Sequence, residues 1–565
     1  MLGKVCESRD GGGVDMLTKA KSQNPQAASF LEKYGAATVL LLGLIFYFLL
    51  ILQYIRLSPY AHIPILDAKS YWQLALEVAH NGRPLSSLTH SAPLYPLFLI
   101  VCVYLFGPNI YAVYVIQLSL ALITVLLIHQ LWQQLFSPLH GFIAALLSLF
   151  YLPFVYYITK LLPEILAILI LTGFLAIYTH RRLLDKPGGL ILLGLVAGLA
   201  IMVRSQFIAV ILPLLALLPF YRKPDPVTKL SRWRVPTVLA CLILTLLPIG
   251  LYNYHHTGGF YVTAPNGGIT FYEGNNPEAT GTYSSVPGIS DDVNLQLKDM
   301  VEVASSHFGR PVTVWEADRH FWHKGLNYIK NNPVDWLKLE LRKIVLLLNP
   351  KETFTIYDIY LERSKYLPFL FFFPISWGIF LPLSLIGIFD IIFIKKEPIK
   401  NILPLIIVGI ALLGLLLVFF VLDRYRLLLL PVVAGFAAHG VIALSKAWSK
   451  RHLPLAVAGS GVLLVGIAVT VMIKKPIAPG AWSNLGSILV RLEHFSEAED
   501  SLHQALQTDP TNPIVINNMI AALLYQDKVE EALPFIETLH SYPLFAQKAA
   551  KYRQFIAEKG YPLSP

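Results

Sequence analysis

The chain has 565 residues, of which 55% are hydrophobic and 14% charged. Soluble globular chains carry roughly a quarter charged residues, so this one cannot cover a normal water-facing surface; a soluble enzyme, a fibrous protein and a disordered chain are all excluded. Its 45 Lys and Arg exceed its 35 Asp and Glu, giving +10; beside bilayer-length apolar runs that excess points to cytoplasmic loops, not to nucleic acid.

The polar, Gly-containing N-terminus predicts a disordered cytoplasmic tail over 1–35. No small-residue cleavage site follows the first apolar run, so this is not a cleavable signal. The first span is 36–55, followed by a half-polar segment from Arg56 to His90. The next apolar piece, Ala92–Phe106, carries Pro93 and Pro96. It is too short for a comfortable crossing and is expected to be interfacial or re-entrant.

Further apolar runs occupy 110–130, 138–158, 162–179, 188–203, 206–221, 235–253, 366–392, 401–422, 427–445 and 453–473. The expectation is an all-α multi-spanning membrane protein with about eleven spans. A long polar region, 254–365, separates the two groups of runs and is expected to be a mixed outer loop domain. Cys6, Cys102 and Cys241 are scattered and form neither a disulfide framework nor a metal spacing.

Charge sets the expected orientation. Arg181, Arg182 and Lys186, then Arg222 to Arg234, Lys395 to Lys400, and Lys446 to Arg451 fall on one side if Ala92–Phe106 does not cross. The N-terminus is then cytoplasmic. The segments 56–109 and 254–365, the turns near 159–162, Arg204 and 423–426, and the C-terminal domain lie outside. Lys474 and Lys475, just past the last span, run against this orientation.

After 476 the composition becomes soluble. Trp482, Leu485, Gly486, Leu489, Ala498, Leu502, Ala505 and Pro510 fit the tetratricopeptide (TPR) template. A weaker copy follows with Ile516, Leu523, Ala532 and Ile536. A TPR solenoid is therefore predicted over 478–565. Two repeats are fewer than such solenoids need, so they must lean on the membrane domain, the tail or another protein. The domain is either a packing cap or a docking site for a protein partner.

Charges near the outer membrane edge are rare and therefore informative. They are Asp67, Lys160, Glu164, Arg204, Asp423, Arg424 and Arg426. Asp67 precedes a helix that also carries Tyr71; it either caps that helix or acts as a general base at the boundary. Glu164 follows Pro163 at a helix start, where the dipole favours an acid, and Lys160 can pair with it. Arg204 can snorkel to the interface. Arg424 and Arg426 suit a phosphate, because guanidinium forks match its oxygens. With one residue between them, they are expected to sit on a turn or the loosened start of a span and reach one phosphate from the same side, with Tyr425 facing away; on a helix they would diverge by about 200°.

In the outer region, Asn266, Gly267, Gly268, Tyr272, Gly274, Asn275 and Asn276 form either a sugar-facing loop or a plain turn cluster. No Walker A loop, dinucleotide fingerprint or metal-binding His pair is present, and no cofactor is expected.

The order of these motifs resembles the GT-C class of membrane glycosyltransferases. Nearest in appearance are bacterial relatives of protein O-mannosyltransferase and of the lipid A aminoarabinose transferase. The resemblance covers nearly all of 36–475. It lies in Asp67-Ala68 with Tyr71 and Leu74-Ala75, Pro93-Leu94-Tyr95-Pro96, Leu162-Pro163-Glu164, Gly194–Arg204, and Asp423-Arg424-Tyr425-Arg426-Leu427 with Pro431. The Asn-Gly loop and the TPR tail are similar to those of a bacterial subgroup. Many relatives have Asp-Glu where this chain has Asp67-Ala68, so a catalytic or metal-holding role of the second acid is vacant here. Some carry Lys before the juxtamembrane proline, where this chain has Ala92 with His90 nearby.

The resemblance implies an enzyme of the bacterial inner membrane moving a sugar from a polyprenyl-phosphate donor to a glycan, lipid or protein acceptor at the periplasmic face, with inversion. Asp67 would be the base, with Glu164 a second acid. Arg424, Arg426, Arg204 and Lys160 would face the donor phosphate. Tyr71, His90, Asn266, Tyr272, Asn275 and Asn276 would line the substrate side. A transporter or flippase of a lipid-linked glycan, with the TPR domain as an assembly module, is the alternative that apolar spans do not distinguish.

Overall fold

A computed structural model describes residues 25–81, 92–180, 182–221, 233–257, 259–290, 293–395, 399–449, 452–473, 476–543 and 545–558. Among them no β-strand occurs; the extended pairing is an isolated bridge between Tyr151 and Ile375.

The first group of helices comprises α1 (Pro25–Leu57), α2 (Leu66–Asn81), α3 (Leu94–Phe106), α4 (Ile110–Leu135), α5 (Pro138–Leu149), α6 (Leu152–Tyr157), α7 (Glu164–Thr179), α8 (Pro187–Val203), α9 (Ile208–Tyr221) and α10 (Arg234–Thr257). Local chemistry sets their ends. The Asn109 side chain accepts the N–H groups of Tyr111 and Ala112 at the start of α4, and Ser137 caps α5 ahead of Pro138. Along α4, Ala121, Val125, Ile128 and Trp132 are buried at helical spacing against α5 and α7. On α1, Leu41, Leu44, Ile45, Phe48 and Leu49 remain exposed, as a lipid-facing side requires.

The tail expectation needs correction. Residues 25–35 are helical and continue into α1, because Pro25 suits a first helical position and Ala27 and Ala28 are strong helix formers.

The polar region also differs from expectation. It holds α11 (Gly267–Gly274), α12 (Val293–Phe308), α13 (Val314–Asn331), α14 (Pro333–Leu348) and α15 (Ile359–Lys365), so its described part is helical rather than mixed. A reciprocal capping box between Thr313 and Glu316 starts α13. Ile269, Met300, Ala304, Ala317 and Phe321 form a small core of their own there.

The chain then forms α16 (Trp377–Phe389), α17 (Leu403–Val418), α18 (Asp423–Arg426), α19 (Leu430–Ser449) and α20 (Leu453–Met472). Helices lie on all the apolar runs, but five are long and apolar enough to cross a membrane: Ser29–Leu57, Ile110–Leu135, Arg234–His255, Trp377–Ile394 and Asp423–Ser449. The others are shorter apolar helices, α3 among them.

The C-terminal region holds two antiparallel helix pairs, α21 (Pro479–Arg491) with α22 (Phe495–Leu506) and α23 (Pro513–Leu524) with α24 (Val529–His540), closed by α25 (Ala546–Glu558). Leu485, Leu489, Ala498, Leu502, Ile516, Leu523, Ala532 and Ile536 fill its interior. It rests on the preceding domain: Asn484 Nδ2 donates to the Ile356 carbonyl at 3.0 Å, and Lys365 Nζ lies 4.9 Å from the Trp482 ring.

Candidate functional site

Two ion pairs meet where α2, α7, α8 and α18 converge. Ala68, Trp72, Ala75 and Val78 seat α2 against the bundle and leave Asp67 half-buried at its tip. Just ahead, Leu66 holds φ = 47° with its side chain exposed. A bulky residue in the left-handed region is strained, and such strain clusters at functional sites. Arg424 Nη1 donates to Asp67 Oδ2 at 3.0 Å, the two side chains being 14% and 17% exposed. In the second pair Arg204, at the end of α8, donates to Glu164 in the first turn of α7.

Tyr425 joins the pairs. Its ring lies 4.9 Å from the Arg204 guanidinium carbon and 5.2 Å from that of Arg424. Tyr71 lies in the field of all four charges. Glu164 Oε2, Arg204 Nε and Arg424 Nε are buried and have no hydrogen-bond partner among the described residues. Buried polar atoms without partners are rare and call for an explanation.

Arg426 does not join this cluster. The segment 423–426 is one helical turn, not an extended one, so the two arginines diverge. Arg426 turns inward, 2.9 Å from Glu352 Oε2 and 3.2 Å from Asp423 Oδ1, and donates to the Asn349 carbonyl at 2.7 Å. Tyr425, expected to face away, packs between the other two arginines and stacks on Phe420. Lys160 is also elsewhere: fully buried, it contacts Glu362 at 2.7 and 2.9 Å rather than Glu164. Tyr156 and Ser58 donate to the same carboxylate, and the rings of Tyr54, Tyr156 and Tyr357 surround the ammonium. Lys160 and Arg426 thus act as internal counter-charges, with no open face toward a donor.

The Asn-Gly segment is neither an open loop nor a turn cluster; it contains α11. A Cβ on Gly268 would lie 1.9 Å from the Asp318 carbonyl oxygen, and one on Gly274 the same distance from that of Phe419. Glycine is needed there for close approach. Asn275 donates to the carbonyls of Phe271 and Val418, and Asn276 to those of Tyr272 and Glu273; both are buried. Asn266 and Tyr272 are half-buried, the Tyr272 ring lying under Lys324 at 4.7 Å. His90 lies outside the described residues.

Sequence reasoning missed Glu352 and Glu362, which neutralise Arg426 and Lys160, and Tyr157, which lies in the field of Glu164, Arg424, Asp423 and Glu352. Tyr156, Tyr157, Glu352, Tyr357, Tyr360 and Asp423 line a narrow cleft, with Tyr357 in the field of Asp67. Among the described residues, no three His, Cys, Asp or Glu side chains are grouped to hold a metal ion.

The described residues form a helical membrane protein in which a charged cluster gathers at the starts of α2 and α7, the end of α8 and α18. Residues 90–251 match the family described as dolichyl-phosphate-mannose-protein mannosyltransferase, which supports a membrane glycosyltransferase. No curated protein matches the chain. Among solved structures, the Archaeoglobus fulgidus oligosaccharyltransferase tethered to an acceptor peptide containing the NVT sequon aligns over 83% of this chain and 59% of its own, at 14% identity and TM-score 0.44. The apo form aligns over 83% and 60%, at 14% identity and TM-score 0.43. The archaeal enzyme in complex with an inhibitory peptide and a dolichol-phosphate gives the same shares, identity and score. This chain therefore spans 59 to 60% of the length of those proteins.

Proposed function

We propose that the chain is an integral-membrane glycosyltransferase that moves a sugar from a polyprenyl-phosphate donor to an acceptor hydroxyl at the outer face, with inversion. The observation that carries this is the meeting of Asp67 and Arg424, a proton acceptor and an anion receptor, in one partly open pair 3.0 Å apart. The family match over 90–251 supports the donor class.

The chemistry follows from that pair. The acceptor oxygen attacks the anomeric carbon and forms the new glycosidic bond. The bond from that carbon to the phosphate oxygen breaks, and its electron pair leaves with the phosphate. Asp67 takes the hydroxyl proton. The phosphate is already stable as an anion, so no strong acid is required. Arg424 and Arg204 receive its charge, each with a buried Nε that has no hydrogen-bond partner among the described residues. Glu164 orients Arg204 and is a positioning residue in this scheme. Donor phosphate competes with Asp67 for Arg424, so donor binding loosens the pair and frees the base.

We further read the C-terminal helix pairs as tetratricopeptide repeats on the same side as Asp67. Transfer from a synthetic polyprenyl-phosphate sugar by the purified chain tests the proposal. Turnover by the wild type, with at least a hundredfold loss in Asp67→Asn, is the expected result. Proteoliposomes that translocate the donor and never cleave it would replace it with the transporter reading.

A further inference from the structure

Between the end of α12 and one face of α13 lies a groove whose lining includes none of Asp67, Glu164, Arg204 and Arg424. Arg319 with His323 and His320 with Lys324 are i,i+4 pairs on two adjoining sides of α13, and all four line the groove. His307 and Arg310 approach from the other side, and the His307 and His320 rings lie 4.6 Å apart.

The charge there is unbalanced. Arg310 is neutralised by Glu316 at 2.7 Å. The neighbouring ion pairs join Lys298 to Glu302 and Lys338 to Asp335; among the described residues none takes in Arg319 or Lys324. Lys324 is half-buried, its ammonium 4.7 Å from the Tyr272 ring and 5.3 Å from that of Phe321. Aromatic faces hold such a cation without discharging it. Burial, with help from His307 and Lys324, lowers His320 to about 4, so at neutral pH it offers a neutral ring with one N–H. The cationic stripe also lies in a region expected outside the membrane, where loops are not enriched in positive charge.

We propose that the α12–α13 groove binds a phosphate group, held by the Arg319 fork and the Lys324 ammonium with histidine N–H donors at its rim. A fork and a point charge together match a multiply charged, three-dimensional anion better than a planar carboxylate. The helix α12 packs on α2, which carries Asp67. A phosphate held there belongs either to a water-soluble acceptor or to a lipid headgroup beside the site.

The test is a binding measurement on the full chain in maltoside detergent, followed by phosphorus NMR line broadening. The probes are inorganic phosphate, dihexanoylphosphatidylglycerol and, as a zwitterionic control, dihexanoylphosphatidylcholine. The expected result is saturable binding of an anionic probe, weakened at least tenfold in Arg319→Glu/Lys324→Glu and unchanged in Lys338→Glu. Preference for inorganic phosphate assigns a soluble source; preference for phosphatidylglycerol assigns the headgroup. If the double variant unfolds, Arg319→Ala alone, at an exposed position, gives the same readout. Equal affinity in wild type and variant, or no saturable binding in the wild type, overturns the site. Binding is read without turnover, so this outcome is independent of sugar transfer.

Discussion

Glu352 Oε2 lies 2.9 Å from Arg426 Nη2, both side chains buried, while two residues earlier Arg424 reaches a half-open aspartate. Two arginines separated by one residue thus do different work, and truncation should separate them. Arg426→Ala leaves Glu352 and Asp423 buried beside a lost cation, which costs about 3–5 kcal/mol. The expected outcome is a large fall in thermal midpoint or loss of folded protein. Arg424→Ala should keep the midpoint within a few degrees and nearly abolish transfer; Arg424→Lys should weaken donor binding, because lysine lacks the fork. Melting curves beside donor titrations distinguish the cases, and equal midpoints would refute the division.

Lys160 and Glu362 behave as a closed unit. Lys160→Met strands a buried carboxylate and should destabilise by about 3–5 kcal/mol. Adding Glu362→Gln removes the stranded charge and should recover most of that loss. A double variant as unstable as the single one would show that the surrounding tyrosines, not the charge, hold the site.

Acid should tighten the contact between α11 and α13 through Asp318. It accepts the Gly268 N–H at 2.6 Å, and burial raises it to about 6, against roughly 3.9 in an unfolded chain. The folded state therefore binds more protons between these values. The contribution is complete below the unfolded value and is lost as pH rises through about 6. Asp318→Asn keeps an acceptor for Gly268 without the charge. It should stabilise the protein at pH near 7.5 by about 1–2 kcal/mol and converge with wild type near pH 4. His320 titrates with the opposite sign in the same window, so the wild-type minus variant difference of melting curves against pH is the quantity to measure.

Leu66 offers a test of stored strain. Its side chain is exposed, so substitution reads the backbone rather than the core. Leu66→Gly removes about 1–2 kcal/mol of left-handed cost against roughly 0.5–1 kcal/mol of added chain entropy, and stability should hold or rise slightly. Leu66→Val, branched next to the backbone, should lose at least about 1 kcal/mol and shift Asp67, lowering transfer. Equal stability of the two variants would mean the backbone there is relaxed.

The sequence made the apolar runs legible because helical burial demands them, and it singled out Asp67, Glu164, Arg204 and Arg424 because charge at a membrane edge is rare. The partners of Lys160 and Arg426 were not legible. Glu352 and Glu362 sit in a polar stretch where acids are ordinary, and no spacing marks a contact across 202 residues. Lys160 is expected to face the donor phosphate or to pair with the nearby Glu164, whereas it is buried against Glu362. The Asn-Gly segment misled for another reason: glycine and asparagine suit turns, but here they let α11 approach α13 and the Phe419 backbone closely, and tertiary packing overrode propensity. At 423–426 positive charge suggested an open turn, whereas the inward pull of Glu352 and Asp423 on Arg426 goes with a helical one.

The span between Lys160 and Glu362 also sets a timetable for synthesis. The two residues are 202 positions apart; at roughly 5–20 residues per second, some 10–40 s separate the appearance of the ammonium from that of its carboxylate. Until then the helices flanking Lys160 carry a charge that the hydrocarbon rejects. Early helices must therefore stay at the water boundary, or in the keeping of the insertion machinery, until the second half of the chain arrives. A stalled or truncated product ending before 362 would keep that charge without its carboxylate and should be removed rather than accumulate in the membrane.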